Sequence, residues 1–262
     1  MEYCSLMSGS WGNCHYIEAG ETSILIDAGQ SGKRILANMA AAGCRPASLL
    51  SAILVTHAHR DHIIGVGVLA GKLNLPVYAT EGTWFEMGSI GARIPAELRH
   101  TIDSSEKWDI DGLSLEAFPT SHDALESVGY VVRQGKEALG IATDCGVFTS
   151  RMERVLRDMQ VLVLEANHDT DMLRTGKYPY YLKKRIAGIN GHLSNEDAGA
   201  ALRKIAGEKT RKVILAHLSQ ENNTGEIAFA SVSRAMPEIG QALSIAPRCQ
   251  PGERVDISAM IS

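Results

Sequence analysis

The chain has 262 residues, 45% of them apolar and 21% charged, enough for a substantial core and unlike a disordered or fibrous composition. Its formal charge of −4 excludes capture of a polyanion by bulk attraction; such a partner has to be held by a local basic patch or by metal ions. Five cysteines (Cys4, Cys14, Cys44, Cys145, Cys249), an odd number without a C-x-x-C pair, argue for reduced thiols in a cytoplasmic protein, and neither a basic, apolar leader nor a run of membrane-spanning length is present.

In chain order, 16–18 and 23–27 read as a hairpin around Ala19-Gly20-Glu21, followed by a helix over 31–42 that Gly43 closes. A buried strand follows at 52–56, then a helix over 63–73 and a short strand at 76–79. Alternating stretches at 113–118, 128–133 and 138–143 read as consecutive strands of a second sheet. The continuous apolar runs at 161–164 and 213–216 suit strands covered on both faces. Between them, Ala198, Ala201, Leu202 and Ile205 recur at helical spacing over 194–206, with Ser194 and Asp197 forming a capping-box-like start. No linker, repeat or low-complexity stretch divides the chain. Two strand-rich halves with interspersed helices predict one α/β domain over 1–262, with two packed sheets and helices outside.

The strand at 52–56 runs into His57-Ala58-His59-Arg60-Asp61-His62, four candidate metal ligands in six residues. Two His at i and i+2 can hold one ion and the Asp-His pair a second, since imidazole and carboxylate suit zinc and its first-row neighbours. Four further strands end the same way: in His122-Asp123, in Thr143-Asp144-Cys145, in Glu165-Ala166-Asn167-His168-Asp169 and in His217. Loops at the carboxyl ends of strands can turn several side chains toward one point.

Together, Thr56-His57-Ala58-His59-Arg60-Asp61-His62, His122, Thr143-Asp144 and His217 resemble the five-part motif of the metallo-β-lactamase superfamily, from residue 4 to about 220. The resemblance implies an αββα sandwich with a two-metal cleft. It places His57, His59 and His122 on the first ion and Asp61, His62 and His217 on the second, with Asp144 bridging ions roughly 3.5–4 Å apart. Zinc, manganese and iron all suit such a site, and Cys145 has no role in it.

Further segments narrow the resemblance. Ser8-Gly9-Ser10-Trp11-Gly12-Asn13 is a Gly- and Ser-rich turn that is either an anion-binding nest or only a tight turn. Asp27-Ala28-Gly29, Glu165-Ala166-Asn167-His168-Asp169, Gly191-His192-Leu193-Ser194-Asn195 and the stretch at 217–223 are similar to the YycJ/WalJ-like group, regarded as 5′-to-3′ exonucleases acting on DNA. In nuclease branches a strand-end Glu and a pre-helix His act beside the metals, which implies catalytic roles for Glu165 and His192 together with Asp61. The clamp domain and exosite arm of larger RNA-processing relatives have no counterpart here.

Ser8, Ser10, Asn13, His168, Lys183 and Lys184 are candidate substrate contacts. The last two lie in a basic stretch (Arg174, Lys177, Lys183, Lys184, Arg185) interleaved with Tyr178, Tyr180 and Tyr181. Such a stretch either meets phosphates and bases or is a solvated helix face with its tyrosines packed underneath. The expected function is metal-dependent phosphodiester hydrolysis with DNA as partner. The alternatives are a hydrolase of small cyclic phosphodiesters, lactones or thioesters, and a non-enzymatic metal- or nucleotide-binding module.

Overall fold

The computed structural model describes residues 1–260, in which the aliphatic runs pair into two seven-stranded sheets. The first contains β1 (Glu2–Met7), β2 (Cys14–Ala19), β3 (Thr22–Ile26), β4 (Ala52–Leu54), β5 (Val77–Thr80) and β6 (Arg99–Ile102). The second contains β7 (Lys107–Ile110), β8 (Leu113–Pro119), β9 (Val128–Gln134), β10 (Glu137–Ala142), β11 (Val161–Glu165), β12 (Lys212–Ala216) and β13 (Leu243–Ile245). A short β14 (Val255–Asp256) returns to the first sheet beside β1. Strand order is β14-β1-β2-β3-β4-β5-β6 in one sheet and β13-β12-β11-β10-β9-β8-β7 in the other.

Period-2 alternation explains how each sheet is covered on both faces. In β3, Ile24 and Ile26 join the core between the sheets, where they share a cluster with Leu115, Tyr130 and Val163 of the second sheet. Leu25 points the other way, into a cluster with residues of α1 (Gly32–Ala41), α3 (Val66–Leu73) and α4 (Glu81–Gly91). Leu162 and Leu164 of β11 likewise pack outward, against α5 (Ser150–Leu156), α8 (Asn195–Ile205) and α9 (Gly225–Ala235). The result is the αββα sandwich expected from the sequence. Among the described residues no helix is long and apolar enough to cross a membrane.

Most expected elements form within a residue or two. Ser31 caps α1, Gly43 follows it at φ 66°, and Ser194 caps α8 by accepting the Asp197 N–H (3.0 Å). One expectation fails: the helix over 63–73 is broken into α2 (Arg60–Ile63) and α3. The break follows from backbone hydrogen bonds made outside the helix, since the Asp61 carbonyl accepts the Asn13 N–H (2.8 Å). Gly65 lies against the chain after β3, where a Cβ would sit 2.3 Å from the Gln30 carbonyl oxygen, and its N–H donates to Ala28 O (2.8 Å). Asp61 and His62 thus stand on a one-turn helix pressed into the sheet edge. Two further helices, α6 (Thr170–Thr175) and α7 (Tyr180–Ile186), lie between β11 and α8.

Strands β3 to β6 are mutually parallel, as are β10 to β13. The loops leaving β4, β10, β11 and β12 therefore open at carboxyl ends, the edge where parallel sheets gather ligands.

Candidate metal centre

The hexapeptide is held from behind before it meets anything else. Asp27, at φ 62° just past β3, is buried and accepts both the Thr56 N–H and the Thr56 hydroxyl, each at 2.8 Å. The same carboxylate lies 2.7 Å from His62 Nδ1. The carboxylate accepts the Nδ1–H, which fixes the tautomer with the lone pair on Nε2, the usual arrangement behind a ligating imidazole. Gly29 completes the support: the Asp61 backbone comes so close that a Cβ there would lie 1.7 Å from the Asp61 carbonyl oxygen. Tyr130 of the second sheet donates to Val55 O (2.7 Å), tying the two sheets together beneath the hexapeptide.

Ligand-capable atoms converge on this edge. One atom each from His57, His59 and His122 lie within 4.8 Å of one another, and so do one each from Asp61, His62 and His217. Asp144 reaches both groups: its Oδ2 is 3.4 Å from His62 Nε2, and its Oδ1 is 3.5 Å from His217 Nε2 and 3.8 Å from His122 Nε2. His122 Nδ1 faces the Gly191 carbonyl at 3.0 Å, which again turns Nε2 inward. Cys145 belongs to none of the clusters; burial pushes its thiol well up, and its backbone N–H is occupied elsewhere.

The donor set fits divalent cations. His57 Nε2, His217 Nε2 and Asp144 Oδ2 are buried without a hydrogen-bond partner among the described residues, which is costly unless an ion satisfies them. Burial works against charge on His62, yet Asp27, Asp144 and Asp61 outweigh it and hold that imidazole up to about 9. A field that favours positive charge so strongly also suits a metal that displaces the proton.

Glu165, the last residue of β11, is fully buried and organises the other side of the cleft. Its Oε2 accepts the N–H groups of Cys145 (3.0 Å) and Leu193 (3.1 Å), while Oε1 lies 2.7 Å from His192 Nδ1 and 3.2 Å from His217 Nδ1. Burial alone would raise its pKa, but the two imidazoles hold the carboxyl well below its usual range. Burial likewise opposes charge on His192, and Glu165 and Asp144 overcome it and raise that histidine. The pair expected from the sequence is therefore a formed hydrogen bond, with the same His192 nitrogen 3.7 Å from Asp144 Oδ1.

The candidate substrate contacts separate into two groups. Ser8 is buried and accepts the His217 N–H (2.8 Å), and Asn13 is buried with its side-chain nitrogen 3.0 Å from His62 Nε2 and 3.4 Å from Asp61 Oδ2. Both brace the cluster from within. The turn they flank is closed on itself, since Asn13 Oδ1 accepts the Gly9 N–H and Gly9 O accepts the Gly12 N–H, which favours the tight turn over the anion nest. Ser10 is exposed. His168, Lys183 and Lys184 line a groove beside α7, and Tyr180 and Tyr181 are each 74% exposed, so the reading with tyrosines packed underneath does not hold for these two.

Sequence reasoning missed Asp27 and Thr56 as supports, although Asp27 ends its strand in an acid as the other strands do. The brace role of Ser8, and the Gly191 carbonyl behind His122, carry no sequence signal, being contacts between distant segments.

Comparison with known proteins places this geometry in context. Residues 22–218 match the family model of the β-lactamase superfamily domain. The chain is 39% identical over 249 residues to exodeoxyribonuclease YycJ of Bacillus anthracis, covering 94% of each chain. It is 38% identical over 233 residues to exodeoxyribonuclease WalJ of Streptococcus pneumoniae serotype 2, covering 88% of this chain and 86% of the relative. Among solved structures, zinc-bound PqqB of Methylobacterium extorquens superposes with a TM-score of 0.74 at 20% identity, covering 98% of this chain and all of PqqB, a likeness of fold.

Proposed function

The chain belongs to the metallo-β-lactamase superfamily, in its YycJ/WalJ-like group, and we propose from that premise that it is a 5′-to-3′ exodeoxyribonuclease working with two divalent ions. Relatives that are themselves exodeoxyribonucleases support a metal-dependent hydrolase with a nucleic acid substrate. His57, His59 and His122 would hold one ion, Asp61, His62 and His217 the other, and Asp144 would serve both. The two mutually close donor groups described above, with Asp144 within 3.4–3.8 Å of both, support this assignment. Zinc, manganese or iron would satisfy these donors.

Bound there, such ions would supply Lewis acidity toward the phosphoryl oxygens and would lower the pKa of a water at the site toward neutrality. Asp61 orients that water and receives its proton. The observation that carries the phosphodiester reading is the Glu165–His192 hydrogen bond (2.7 Å) beside Asp144 and His217. Glu165 keeps the His192 ring oriented and protonated, with Nε2 toward the cleft. From Nε2 the proton passes to the departing 3′-oxygen as the P–O3′ bond breaks, leaving a 5′-phosphate on the shortened strand.

The test is hydrolysis of 5′-phosphorylated, 3′-labelled single- and double-stranded DNA with added Mn²⁺ or Zn²⁺, beside a His59→Ala control. Stepwise shortening from the 5′ end, lost in the control, is expected. Intact polymers from a metal-loaded protein would overturn the nuclease reading in favour of cyclic phosphodiesters, lactones or thioesters.

A further inference from the structure

Between α6 and α7 lies a groove of about 320 Å³, at the small end of ligand sites. Its floor and walls are largely apolar, from Leu173, Ala187 and the ring of Tyr180, with His168 among the lining residues. His168 is only 2% exposed, and its Nδ1 has no hydrogen-bond partner among the described residues. Three cations, Arg174, Lys183 and Lys184, complete the lining. Lys184 sits 5.5 Å above the Tyr180 ring, and neither Lys183 nor Lys184 has a carboxylate partner among the described residues. Arg174 is paired with Asp171 (3.0 Å), so the positive charge that a chain of net charge −4 leaves around this small apolar slot comes from the two lysines.

The groove is joined to the catalytic edge on two sides. Arg185, on α7, donates to Asp123 Oδ2 (2.5 Å), and the other oxygen of Asp123 is 3.6 Å from His59 Nε2. The His192 N–H donates to Ile186 O (2.9 Å), one residue before the groove-lining Ala187. The helix that forms one wall of the groove is thus tied through its neighbouring residues to Asp123 and His192 at the cleft.

From this geometry we infer that the groove takes the unpaired nucleobase of the strand's 5′-terminal nucleotide, the one about to be released. This deepens the exonuclease reading and rests on it. The base stacks on Tyr180 and meets His168 by its polar edge, while Arg174, Lys183 and Lys184 hold the phosphate on its 5′ side. An exposed aromatic beside a buried polar group fits a flat, polar-edged base better than a bare phosphate, which has no use for the apolar walls. A paired terminal base has to fray before it can enter, so single-stranded ends are preferred.

The test is equilibrium binding of 5′-phosphorylated single-stranded oligonucleotides with phosphorothioate linkages, carrying one abasic residue at position 1, 2 or 3. An abasic residue at position 1 should weaken binding on the order of tenfold, and one at positions 2 or 3 far less. Tyr180→Ala should cause a similar loss and erase the position-1 penalty, whereas Tyr180→Phe, which keeps the ring, should preserve both affinity and penalty. A flat abasic profile would overturn the inference, as would affinity that follows the 5′-phosphate and ignores the base. Ordinary phosphodiester oligonucleotides separate the two readings. Cleavage with a flat profile would sink the base groove alone, and the position-1 profile without cleavage would sink the nuclease reading alone.

Discussion

The first sheet brings its candidate ligands to the cleft in one stretch, His57 to His62, whereas the second delivers His122, Asp144 and His217 one strand end at a time. Each wall has a buried carboxylate behind it. Asp27 holds Thr56 and His62 for the first, and Glu165 holds His217, His192 and two backbone N–H groups for the second. The two carboxylates differ in what lies beyond them. Asp27 touches only structure and a candidate ligand, whereas Glu165 also touches His192, the histidine to which the proposed mechanism gives proton delivery. A contiguous motif needs a local clamp; a dispersed set needs a residue that reaches several segments at once, and that residue can also couple the metal site to acid–base chemistry.

Substitutions can break this comparison at different depths. Asp144 is the residue both walls share, so Asp144→Ala should abolish turnover and empty the centre, read as metal per chain by elemental analysis after dialysis. A variant that kept its full metal content would mean the walls bind independently. Asp27→Asn should leave the fold intact and weaken metal affinity about 10–100-fold, measured by competition with a chelating dye. An unchanged affinity would make Asp27 a brace for Thr56 alone. Ser8→Ala should do least. It strands the His217 N–H at a cost of about 1–3 kcal/mol, seen as a melting temperature lower by a few degrees with KM for DNA unchanged. A raised KM with an unaltered melting temperature would return Ser8 to the substrate side.

The same contrast explains what the sequence could reveal. Runs such as Ile24-Leu25-Ile26 and Val161-Leu162-Val163-Leu164 announce strands because both their faces are buried, and the hexapeptide announces a metal site by density alone. The acids and histidines that end β10, β11 and β12 become visible once the strands are marked. Hidden from such reading are β1, where buried Ser5 interrupts the apolar run so that 2–7 show neither alternation nor a continuous apolar stretch, and the split between α2 and α3, which depends on contacts of Gly65 with the chain after β3. Hidden too is the burial of Ser8 and Asn13, whose partners lie 209 and 49 residues away. The basic, tyrosine-containing stretch stays ambiguous in sequence because a seven-residue helix shows too few turns for its faces to be told apart.

Proton delivery by His192 is the claim that joins the geometry to phosphodiester cleavage, and a change of leaving atom tests it. His192→Ala should cut kcat on ordinary DNA by about 10²–10⁴-fold with metal content unchanged. On a strand whose scissile 3′-oxygen is replaced by sulfur, which departs without needing a proton, the variant should run close to the wild-type rate. An equal defect on oxygen and sulfur would contradict the assignment and leave His192 as a support for Glu165.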